Sequence, residues 1–262
     1  MTLRFLKTAS GSVVLLSASV ALAGLLPNPP FTTGGNNAPD ATVLKQEQSV
    51  GKVITGYVAG RTKCDQKAIA ALQKFHAAID PVGVTATETA WTACVAANVT
   101  KYNAARDKLV AAGTPTCLNQ AGIDAIKTQL DAQLPLLGGI VYCNAFYGTN
   151  AVTGQKVPEL ASMVKSEVGV GKLATKAGVG AGKCYTKAAS TVFKNGGTLP
   201  AADLTKFNDC ITKASAGGTA GVAKLVAGGT LPSCLPGGTA TAVVSAAVAL
   251  GGGFNDETYC QP

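Results

Sequence analysis

Eight cysteines are the side chains in this 262-residue sequence whose type and spacing carry the most chemistry. They are Cys64, Cys94, Cys117, Cys143, Cys184, Cys210, Cys234 and Cys260. No two form a C-x-x-C pair. Thioredoxin-like exchange, zinc ribbons and c-type haem attachment each need closely spaced cysteines, so all three are excluded. An even number of widely spaced cysteines reads as disulfides formed in an oxidising compartment. No metal and no cofactor are expected.

Other candidates for chemistry are thinner. His76 is the single histidine, so any serine–histidine or cysteine–histidine mechanism would depend on it. It has no counterpart in the second half of the chain and reads as a surface or core-edge residue. The run Ala177-Gly178-Val179-Gly180-Ala181-Gly182-Lys183-Cys184 resembles a phosphate-binding loop, but Ala replaces its first glycine and Cys184 its magnesium-holding hydroxyl. It is expected to be a flexible helix junction. Asp65, Asp107, Asp124 and Asp131 show no converging pair for acid–base work. No catalytic residue is therefore assigned.

Lysines recur in register with the cysteines. Gly51-Lys52 stands ahead of Cys64 at the offset where Gly171-Lys172 precedes Cys184. Lys63-Cys64 matches Lys183-Cys184, Lys67-Ala68 matches Lys187-Ala188, and Lys108-Leu109-Val110-Ala111 matches Lys224-Leu225-Val226-Ala227. Tyr142-Cys143 and Tyr259-Cys260 close the two halves. The gaps from Cys94 to Cys117 and on to Cys143 are 23 and 26 residues; those from Cys210 to Cys234 and on to Cys260 are 24 and 26. This self-similarity predicts a duplicated small unit rather than a solenoid. Lys63, Lys67, Lys74, Lys183, Lys187 and Lys194 are the candidate anion-binding residues, since lysines four apart share a helix face.

The elements that must position these residues are helices. Arg4 and Lys7, an apolar stretch from Val13 to Leu22, and Ala21-Leu22-Ala23 predict a signal peptide over 1–23. Proline, glycine and asparagine over 24–40 predict a flexible leader. Helices are expected from 41 to the high 50s, over 62–78, from Thr85 or Thr87 to 112, and over 119–134. In the second half they are expected near 157–176, 183–194, 201–214 and 239–250. The domain reading is therefore unit 1 over 41–143, a linker over 144–156 and unit 2 over 157–262. The fold class is all-α: two tandem disulfide-stapled antiparallel helical bundles. Breaks at Asp80-Pro81 and Asn195-Gly196-Gly197 bring Cys64 level with Cys94, and Cys184 with Cys210. The pairing expected is Cys64–Cys94, Cys117–Cys143, Cys184–Cys210 and Cys234–Cys260, although four cysteines per unit allow three connectivities.

Composition bounds the rest. Charged residues make up 14% and aromatics 5%, so the core must be built from small aliphatic side chains. The net charge of +8 falls to +6 once Arg4 and Lys7 leave with the signal peptide. That balance suits anionic glycans, lipid surfaces or acidic proteins as partners, with no nucleic acid and no transmembrane span in the mature chain. Lys63-Cys64-Asp65-Gln66-Lys67-Ala68-Ile69, Lys74-Phe75 and Cys94 resemble a group of uncharacterised secreted cysteine- and lysine-bearing helical repeat proteins of environmental bacteria. The resemblance covers roughly 49–143 and 169–260 and implies no activity. The expectation is a periplasmic or extracellular, non-enzymatic binding or structural protein. The alternatives are a small apolar ligand carrier, or a hydrolase with a site between the units.

Overall fold

A computed structural model describes residues 38–76, 80–143 and 160–259; the signal-peptide, most of the leader and the linker expected at 144–156 lie outside them. The described chain is all-α: α1 (Ala41–His76), α2 (Pro81–Ala111), α3 (Gln120–Val141), α4 (Ala161–Lys194), α5 (Ala201–Ala227) and α6 (Gly237–Thr258), with a 3-10 turn at Thr116–Leu118.

Two antiparallel hairpins in tandem form the frame. In the first, α1 and α2 reverse at Asp80-Pro81. The Asp80 carboxylate accepts from the backbone N–H of Val82 at 3.1 Å, and Pro81 occupies the first turn of α2, where its missing N–H leaves no bond unmade. The cap expected at Thr85 or Thr87 thus falls earlier in the chain. Thr87 lies inside the helix, its hydroxyl donating to the Gly83 carbonyl at 2.9 Å. In the second hairpin, α4 and α5 reverse through Gly196 and Gly197, with φ of 63° and 109°, a region other residues rarely enter. Cys64–Cys94 and Cys184–Cys210 staple the hairpins, each with Cα atoms 5.8 Å apart, as the spacing predicted.

Several expected breaks are absent. α1 runs unbroken through Gly60, and α4 through the whole of Ala177–Cys184. The phosphate-loop look-alike is therefore mid-helix, and no junction lies there. These glycines sit where another chain segment comes close. A side chain at Gly60 would collide with Asn98, which donates to the Tyr57 carbonyl at 2.9 Å. A Cβ at Gly178 would lie 2.7 Å from the Ala247 carbonyl oxygen of α6. Tertiary contact makes glycine a spacer at these points, because only a residue without a Cβ admits so close a neighbour. α5 and α6 likewise outrun their expected ends at 214 and 250, and α3 continues past Pro135 to Val141.

The expected Cys117–Cys143 and Cys234–Cys260 bridges are overturned. Cys143 is bonded to Cys234 across 91 residues of sequence. The reason is length. α3 and α6 have 22 residues each, so each spans about 33 Å. Cys117 and Cys143 flank α3 at opposite ends and cannot meet; Cys234 and the C-terminal end of α6 are related in the same way. Cys117 is also disulfide-bonded, with a partner outside the described residues.

The hydrophobic cores likewise cross between the halves. One joins Ile69, Leu72 and Val141 to Val170, Val222 and Val243; another joins Val50, Ile54, Ile126 and Leu130 to Leu250 and Phe254. A third, smaller cluster gathers around Tyr185 and Phe207, whose rings meet edge-on with centroids 4.9 Å apart. Gly237–Phe254 is long and apolar enough to cross a membrane, with a mean hydropathy of 1.3. Its Ala240, Val243, Val244, Leu250 and Phe254 are buried in the shared cores.

Candidate functional site: an apolar cavity between the two hairpins

The helices α1 and α4 lie antiparallel at the centre of the molecule. Gln48 donates to Ser190 at 2.9 Å, and Thr55 stands 3.9 Å from the point where Gly182 would carry a Cβ. Small residues of α1 and α4, among them Ala59, Ala174 and Gly182, line the space between them. With α3 and α6 closing the sides, they enclose a cavity of about 600 Å³. That lies within the range of ordinary small-molecule sites, roughly 300–1,000 Å³. Ile54, Leu130, Leu134, Val243, Leu250 and Phe254 supply its bulkier apolar wall.

Four of its lining residues are solvent-exposed: Lys52, Gly56, Lys183 and Lys187. They mark its mouth. Asp65 is the one carboxylate in the lining among the described residues. It is buried, accepts a hydrogen bond from the Trp91 indole at 2.8 Å and lies 3.8 Å from the Arg61 guanidinium. Arg61 in turn stacks over the Trp91 ring at 5.3 Å.

The six lysines singled out from the sequence are all exposed, but they do not form one strip. The antiparallel register sends Lys63, Lys67 and Lys74 toward one end of the α1–α4 pair, and Lys183, Lys187 and Lys194 toward the other. Lys74 and Lys194 stand on the order of 40 Å apart along the helices. Only Lys183 and Lys187 of the six line the cavity, and Lys52, not among the six, joins them there. His76 ends α1; its side chain lies outside the described residues.

Two buried acids were missed from the sequence. Glu47 is 3% exposed and Glu167 is fully buried. Burial pushes the Glu47 carboxyl up to about 7 and that of Glu167 up to about 8, because desolvation penalises the charged form. Neither Glu167 oxygen has a hydrogen-bond partner among the described residues. Burial also lifts the Tyr259 phenol to about 12, and the nearby Glu47 charge adds to that rise. A signal existed: Glu47 precedes Gly51-Lys52 by the interval at which Glu167 precedes Gly171-Lys172. One Glu167 carboxylate oxygen and the Cys143 and Cys234 sulfurs lie within 4.8 Å of one another. Those sulfurs are bonded to each other, so the group offers no thiolate, the form of cysteine that binds metals.

A second polar cluster lies outside the cavity. Asp131 accepts from the Tyr57 hydroxyl and pairs with Lys127, whose ammonium sits 5.2 Å from the Tyr57 ring centroid. Arg106 bonds both Asp107 and Asp124. Asp107, Asp124 and Asp131 are thus held in ion pairs away from the cavity lining and do not converge with Asp65.

Comparison with protein-family models, with curated proteins and with solved structures finds no match for this chain.

Proposed function

We propose that this protein is an exported, non-enzymatic carrier of a small apolar ligand, held in the cavity between α1, α3, α4 and α6. The observation that carries the reading is the cavity itself: about 600 Å³, with a wall formed mainly by aliphatic, glycine and aromatic residues and interrupted by five threonines, three lysines and Asp65. An apolar guest entering it sheds hydration at little polar cost. Asp65 is engaged by Trp91 and Arg61, which disfavours the hydrolase alternative, since among the described residues no second carboxylate stands beside it in the lining.

Export is supported by the signal-peptide pattern at 1–23 and by disulfides, which form and persist in oxidising compartments. Periplasm or extracellular space is the location proposed. Duplication is supported by paired features. Residues 61–69 and 181–189 share one sequence of buried and exposed positions. Glu47 and Glu167 are both buried, and Gly51 faces Tyr259 as Gly171 faces Tyr142.

Native mass spectrometry of the protein purified from its oxidising compartment, followed by solvent extraction, tests the carrier reading. A co-purifying apolar molecule is expected, displaced by a neutral fluorescent apolar probe. Gly56→Trp places bulk at the mouth, where a Cβ meets nothing within 4 Å, and should weaken probe binding while leaving helicity intact. A protein that is empty and takes up no probe would overturn the proposal.

A further inference from the structure

The cavity has a polarity along its length, and that polarity specifies a ligand class. Lys183 and Lys187 are one helical turn apart on α4 and share a face. The α1–α4 register, fixed by Gln48 on Ser190 and Thr55 beside Gly182, sets Lys52 opposite them. All three line the cavity and are exposed. Among the described residues, no carboxylate lies within ion-pair distance of any of them. Asp65, the only acidic lining residue among the described ones, is 13 residues further along α1 than Lys52, about 20 Å on a helix, and is already held by Arg61 and Trp91. An apolar chamber that opens on three ammonium groups with no ion-pair partner among the described residues matches a molecule with an apolar tail and a negative head.

We propose that the ligand is a single-chain amphiphile with an anionic head, a carboxylate or a phosphate. Its tail lies among Ile54, Leu134, Leu250 and Phe254, and its head lies between Lys52 and the Lys183–Lys187 pair. The inference rests on the apolar-carrier reading and adds the charge of the guest. Charge-assisted hydrogen bonds from lysine discriminate between an anion and a neutral group of the same length.

The test compares palmitate, hexadecyl phosphate and hexadecanol as competitors of a neutral fluorescent apolar probe on the full mature chain. At low salt at least one of the two anions should displace the probe at about tenfold lower concentration than hexadecanol. The stronger anion identifies the head group. Raising the salt should narrow the gap, as screening weakens exposed ion pairs. The triple variant Lys52→Gln, Lys183→Gln, Lys187→Gln should bring anions and alcohol level while still binding the probe. Because all three side chains are exposed, the variant is expected to fold, and retained probe binding reports that directly. Probe binding with no preference for anions, or a preference that survives in the triple variant, would overturn the anionic head and leave the apolar carrier standing. Absence of probe binding in the native chain would overturn both.

Discussion

Glu167 is the residue at which burial and charge conflict most sharply. Its carboxyl is fully enclosed and unpartnered among the described residues, so the neutral acid is the form the fold tolerates. In the unfolded chain it ionises near the ordinary 4.5, and in the folded chain it is held to about 8. Below 4.5 both states are protonated, and burial carries no ionisation penalty. As pH rises, the unfolded chain releases a proton that the folded chain retains. Stability should then fall by up to about 1.4 kcal/mol per pH unit for each such group. The loss from Glu167 levels off above about 8, and that from Glu47, shifted in the same direction, above about 7. Thermal melts across this range should show a declining midpoint, and Glu167→Gln should flatten the decline most at its alkaline end. A variant whose midpoint tracks the native protein at every pH would contradict this account. The sequence held these acids in plain view, but only their packing reveals that they lie inside.

At the scale of the element, the glycines decide how closely helices approach. Gly56 has nothing within 4 Å of where a Cβ would stand, whereas Gly178 would press a Cβ to 2.7 Å from the Ala247 carbonyl. Both lie inside helices. Gly56→Ala should therefore stabilise by about 0.5–1 kcal/mol through helix propensity. Gly178→Ala should destabilise by about 1–3 kcal/mol, because α4 and α6 must move apart. Urea midpoints of the two variants should move in opposite directions. Local composition suggests a break at the Ala177–Cys184 run that holds Gly178. It could not distinguish a glycine that loosens a helix from one that admits a neighbour, since the neighbour is remote in sequence. By contrast, Asp80-Pro81 and Asn195-Gly196-Gly197 were legible because their turn chemistry is local.

For the whole molecule, the Cys143–Cys234 bridge ties the end of α3 to the segment before α6, so each half depends on the other. Peptide mapping under non-reducing conditions should recover Cys143 with Cys234. Cys117, oxidised in the structure, should be recovered with Cys260, the one cysteine left without an assigned partner. Recovery of Cys117 with Cys143 would refute the interlocked arrangement. The double variant Cys143→Ser, Cys234→Ser opens a closure of 91 residues. Chain entropy then predicts a loss of about 4.5 kcal/mol, seen as a lowered denaturation midpoint with the hairpin bridges intact.

Sequence alone determined what is encoded over short distances: helices from their apolar spacing, two reversals from their turn residues, and two bridges from cysteines level across those reversals. Which surfaces α3 and α6 cover, where Cys143 finds its partner, and how three lysines come to rim one apolar chamber were decided by tertiary packing. An amphipathic helix records that it has a face to bury, but nothing in its period records against which helix. A rod about 33 Å long carries its far end out of reach of its own beginning and into contact with the other half of the chain.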